Sequence, residues 1–184
     1  DALYNAAKGS DAFPTFPDIT AKFNSVYGTA TCNGGAGGWY YGTDGNAPAG
    51  KVDFVTTALH EIGHGLGVIS VINSNGGFSS TNPAAYDRFL YNAELEVSLV
   101  SQTAAARALS MKKDGKLVWS GAEVNSLADE LTAGVNNSRV QLYAPSTYNS
   151  GSSVSHFDTD LTPNELMEPF AKNDVTYQHS AALL

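Results

Sequence analysis

DFVTTALHEIGHGLG, at residues 53–67, carries the start and the period of one helix in a single run. Asp53 has the short acceptor side chain of an N-cap. With Ile62 set at zero and a turn of about 100° per residue, Val55, Ala58, Leu59 and Leu66 fall within about 60° of it. They form the expected buried face. His60 and His64 fall on the other side, about 160° to 200° away by the same arithmetic.

Residues i and i+4 of a helix lie one above the other, so His60 and His64 can put ring nitrogens on one ion. Glu61 is next in sequence and is set to reach a water on that ion rather than the ion itself, the arrangement of a general base beside a metal-activated nucleophile. A surface helix can carry the HExxH pattern by chance. Against that, the histidines lie opposite the apolar face, and glycines stand at 63, 65 and 67. Glycine inside a helix costs about 1 kcal/mol relative to alanine, so Gly63 and Gly65 predict crowding that tolerates no side chain.

A catalytic zinc needs a third protein ligand and an open position. Three residues after His64 stands Gly67, and three further on, where a third histidine would complete HExxHxxGxxH, stands Ser70, a poor zinc ligand. His156 and His179 are the remaining histidines, and Glu94 or Glu96 in NAELEV offers a carboxylate instead. A carboxylate ligand would make a gluzincin-like site. A third reading is a noncatalytic protein-binding module that keeps zinc for structure, but closed sites use four protein ligands and Glu61 would have no task there.

The remaining sequence bounds the answer. Of 184 residues, 42% are hydrophobic and 15% charged, with eighteen glycines, which fits one globular, loop-rich domain and excludes a disordered chain. The net charge of −8 and the absence of any basic stripe beyond Lys112, Lys113 and Lys116 argue against nucleic acid. No apolar run is long enough to span a bilayer, and the first residues lack a signal pattern, consistent with a processed start at Asp1. Cys32 is the only cysteine, so no internal disulfide forms. It could block zinc as a thiolate, although an ordinary buried thiol is the simpler reading.

Trp39 to Tyr41 reads as a strand beside the glycine-rich loop CNGGAGG, which lacks the GK[ST] of a phosphate cradle. SQTAAARAL predicts a short helix, Asp114-Gly115 a hairpin turn, VQLYAP a strand, STYNSGSSVS a loop and NDVTYQHSAALL a final helix. Asp158, Asp160 and the Asp44-Gly45-Asn46 turn could hold calcium, though no EF-hand spacing supports it.

SHFDTDLTPNELMEPF, at residues 155–170, taken with HEIGHGLG, resembles the leishmanolysin-like branch of the metzincin zinc peptidases. In that branch a long insertion separates the glycine from a third histidine, which an ELM-x-P segment follows. The resemblance implies that His156 is the third ligand, Met167 the methionine of the Met-turn beneath the metal, and Gly67 the helix-ending turn. It implies an α+β catalytic domain over residues 1–184, divided into an N-terminal lobe (1–67) with a twisted sheet and the active-site helix, an insertion (68–155) and a smaller C-terminal lobe (156–184). It further implies an endopeptidase that holds one Zn2+, acts on protein or peptide substrates and works outside the cell or at its surface; an N-terminal pro-segment, since removed, could have been its inhibitor. An extended substrate would pair with an edge strand near Trp39, Tyr40 and Tyr41. No tyrosine stands two residues after Met167, so none is assigned to the transition state.

Overall fold

The computed structural model describes residues 2–170. The expected final helix and His179 lie outside the described residues. Helix α1 (Ala2–Lys8) is followed by a long run of turns before β1 (Trp39–Tyr40), which pairs in parallel with β2 (Val52–Asp53). Strand β2 leads straight into α2 (Phe54–Leu66). The start of α2 is fixed by Asp53, whose carboxylate accepts the Thr56 N–H at 2.7 Å while its carbonyl accepts the Thr57 hydroxyl at 2.9 Å. Phe54 opens the helix against Phe23 and Trp39, with ring centroids 5.0 and 5.5 Å apart, so an aromatic cluster anchors this end of α2 to β1.

Two expectations for this region need correction. The N-terminal lobe holds a two-residue parallel pair, not a twisted sheet with a free edge strand, because Gly, Pro and Asn interrupt residues 1–50 before any apolar run reaches strand length. The apolar face of α2 is also less covered than its period predicts. Leu59 packs on the core, but Ile62 and Leu66 are 39% and 53% exposed.

The core lies in what reads as an insertion. Strands β3 (Leu90–Asn92), β4 (Val97–Ser98) and β5 (Leu117–Trp119) form an antiparallel sheet in the order β4-β3-β5. Helix α3 (Ala104–Ser110), capped by the Thr103 hydroxyl, joins β4 to β5. Asp114-Gly115 turns the chain between α3 and β5, so it closes no strand hairpin. After α4 (Ala122–Asn125), β6 (Val135–Asn136) and β7 (Arg139–Val140) make a hairpin whose two turn residues, Asn137 and Ser138, both have positive φ. The expected VQLYAP strand is reduced to Val140 and two bridges, Gln141 to Val118 and Leu142 to Phe157.

Leu90, Leu99, Met111, Leu117, Leu142 and Val154 are fully buried in this core, joined by Leu161 and Met167 from the C-terminal stretch. The chain is therefore a mixed helix and strand structure, compatible with the α+β expectation. Among the described residues no helix is long and apolar enough to cross a membrane.

Candidate metal centre

His60 and His64 stand one turn apart on α2, and His156 comes to them from a loop that returns beside the core. That loop is pinned by backbone bonds from Val154 N–H to the Tyr143 carbonyl and from Tyr143 N–H to the His156 carbonyl. The three Nε2 atoms lie 3.1 Å (His60 to His64), 3.1 Å (His64 to His156) and 3.3 Å (His60 to His156) apart. Each Nδ1 sits 2.7 Å from a main-chain carbonyl: His60 on Leu166, His64 on Val68 and His156 on Ser152.

A carbonyl can only accept, so each Nδ1 carries the proton and each neutral ring turns a bare Nε2 lone pair toward the other two. Three lone pairs meeting at one point repel unless a cation lies between them. A proton is a poor candidate at two of the three. Burial, with the neighbouring rings adding to it, pushes His156 down to about 4 and holds His60 below the ordinary histidine range. A metal ion fits better: nitrogens held tetrahedrally at about 2.0–2.1 Å from zinc stand about 3.3–3.4 Å from one another, close to the observed spacings. His60, His64 and His156 could thus hold a metal ion, and they are the only such group of three among the described residues.

Gly67 matters to this geometry. Its φ of 118° stops α2 and lets the chain fold back, so that the Val68 carbonyl reaches the His64 ring. Met167 is buried in the core. Its carbonyl accepts the N–H of Phe157, beside His156, while the preceding carbonyl, of Leu166, holds His60. The ELM turn therefore braces two of the three histidines through its backbone.

Glu61 is exposed, and with Thr57, His64 and Gly65 it lines a cleft of about 600 Å³. Residues 18–24 and Trp39 form the opposite wall. A side chain on Gly65 would stand 2.6 Å from Ile19, which accounts for the glycine in the last turn of α2. Of the aromatic residues expected to meet substrate, Trp39 alone is on the cleft wall. The Tyr40 hydroxyl donates to Asp44 at 2.6 Å, and Tyr41 lies 65% exposed against Phe54.

The competing ligands lie elsewhere. Glu94 is paired with Lys113 at 3.1 Å, and neither it nor Glu96 joins the histidines. Ser70 donates its N–H to the Ser155 hydroxyl and its own hydroxyl accepts from Ile72. Cys32 accepts from Asn24 at 3.5 Å and belongs to no group of potential ligands among the described residues. The calcium candidates are used locally: Asp44 accepts from Tyr40 and Asn46, and Asp158 accepts from the Asp160 N–H. Reading the sequence misses the carbonyls of Val68, Ser152 and Leu166, since a main-chain acceptor leaves no mark in residue type. Only Gly67 hints at one of them.

The chain matches no protein-family model, no curated protein and no solved structure.

Proposed function

We propose that this chain is a zinc-dependent endopeptidase of the metzincin kind, with His60, His64 and His156 as ligands and Glu61 as general base. The observation that carries the reading is the convergence of three Nε2 atoms whose Nδ1 protons are already committed to carbonyls, next to an open cleft that presents a carboxylate. When bound, a zinc ion supplies an open coordination position, lowers the pKa of a water there to about 7 and polarises a carbonyl oxygen.

The residues of the chain do the rest. The cleft of about 600 Å³ between α2 and residues 18–24 would take the substrate peptide, with Trp39 available as an apolar contact. Glu61 accepts the proton of the attacking water and returns it to the departing amine nitrogen, a transfer worth about 10²–10⁴ in rate. Its exposure suits that task, since the carboxylate opens onto the cleft where a substrate would lie. With three protein ligands and no fourth in reach among the described residues, a position remains for water, unlike a closed structural site.

The test is a metal analysis of the purified protein joined to a digest of a broad peptide library. We expect about one zinc per chain and internal cleavage of peptides that stops on chelation. A chain carrying full zinc that cuts nothing in the library would argue for a noncatalytic metal site.

A further inference from the structure

Val154 has a φ of 75°, in the left-handed region. The other described non-glycine residues with positive φ are Glu96, Asn137 and Ser138, and all three are exposed. Val154 differs from them in being β-branched and fully buried. A β-branched residue pays a steric penalty there and keeps the conformation only where its surroundings enforce it. Two residues later comes His156.

Three bonds hold the bend. The Val154 N–H donates to the Tyr143 carbonyl at 2.8 Å, and the Ser153 N–H donates to the Asn149 carbonyl at 2.8 Å. The third comes from a distant element: the hydroxyl of Tyr86, itself 6% exposed, donates to the Val154 carbonyl at 2.9 Å. Burial keeps that phenol far above its ordinary range, so it remains a donor. The bend turns the Ser152 carbonyl back onto the Nδ1 of His156, four residues on, at 2.7 Å. Released from it, the loop would lose the acceptor that fixes both the tautomer and the direction of the third ring.

We infer that Tyr86 is a positioning residue for the metal centre: its hydroxyl holds Val154 in a left-handed bend and thereby aims His156 at His60 and His64. The inference rests on the proposed metal site but not on peptide cleavage. Its sequence position, far from both HEIGHGLG and SHFDTD, explains why no motif reveals it.

The experiment compares the wild type, Tyr86→Phe and Val154→Gly, each stripped of metal and folded. The zinc dissociation constant is read by chelator competition, the geometry by the visible spectrum of the cobalt-loaded protein, and the fold by the melting temperature of the metal-free chain. Tyr86→Phe should bind zinc about ten- to a hundredfold more weakly, as loss of a group that orients a ligand does, and should show an altered cobalt spectrum. Val154→Gly should melt lower, having lost a buried side chain, yet bind zinc close to wild type, because glycine takes this φ freely and both backbone bonds remain.

If Tyr86→Phe melts lower but keeps the wild-type dissociation constant and cobalt spectrum, the hydroxyl is merely structural and the inference fails. It fails equally if Val154→Gly loses zinc as far as Tyr86→Phe does. Should Tyr86→Phe not fold without metal, Val154→Gly and the cobalt spectrum of Tyr86→Phe refolded with the metal decide the matter on the same terms. A wild type that binds no zinc would instead remove the metal site itself.

Discussion

Each imidazole of the trio has two nitrogens, and the carbonyls of Leu166, Val68 and Ser152 select which one faces the ion. The rings are therefore not interchangeable with other donors of similar size. His156→Ala should strip zinc from the folded protein, because two ligands on one helix turn hold a catalytic ion poorly. Glu94→Ala should leave zinc near one per chain, since Glu94 is engaged with Lys113 at the surface. Metal content after identical dialysis of the two variants checks this, and the opposite pattern would favour the carboxylate ligand. Glu61→Gln separates binding from chemistry. It should retain zinc and the wild-type melting temperature while peptide turnover falls by about 10²-fold or more through loss of the base. Near-normal turnover in that variant would remove Glu61 from the mechanism.

At the scale of elements, α2 is where sequence and structure agree best, and its two ends show why. Asp53 and Gly67 both act through local backbone geometry, but only the Asp53 cap was legible from residue type, while Gly67 as the helix end came with the resemblance. The hydrophobic face was legible in period but not in outcome. Whether Ile62 and Leu66 are covered depends on which segments reach them, and no helical period encodes that. The sheet of the N-terminal lobe was expected from the resemblance, against the Gly, Pro and Asn that break up residues 1–50, and the partnership of His156 with α2 likewise came from the resemblance of residues 155–170 and not from spacing. Gly67→Ala tests the helix end. Alanine at a φ of 118° is strained, so stability should fall by more than about 1 kcal/mol. The displaced Val68 carbonyl would then free the His64 ring, and zinc affinity should fall with it. Thermal melts and chelator competition on one preparation read both effects, and a destabilised variant with unchanged zinc affinity would uncouple the turn from the ligand.

Across the whole molecule, the proposed ion joins helix α2 to the core. Two ligands belong to α2, which touches the core chiefly through Leu59, and the third belongs to a loop fixed on the core by Tyr143 and Tyr86. A ligand that binds only the folded state adds stability that grows with its concentration, about 2.7 kcal/mol at a hundred times its dissociation constant. That gain should not be shared evenly. The sheet residues Leu90–Asn92 and Leu117–Trp119 are held by their own ladder and by buried leucines, so they need no metal. Beyond the aromatic cluster at Phe54 and the contact of Leu59, helix α2, with Ile62 and Leu66 exposed, has little apolar cover to hold it once the ion is gone. Chelation should therefore speed amide exchange across residues 54–68 and 152–157 while β3 and β5 stay protected. The comparison is hydrogen exchange of the zinc-loaded and chelated protein at the same pH. Uniform loss of protection would mean that the ion stabilises the fold globally; no change in α2 would mean that the helix is held by something other than the three-histidine site.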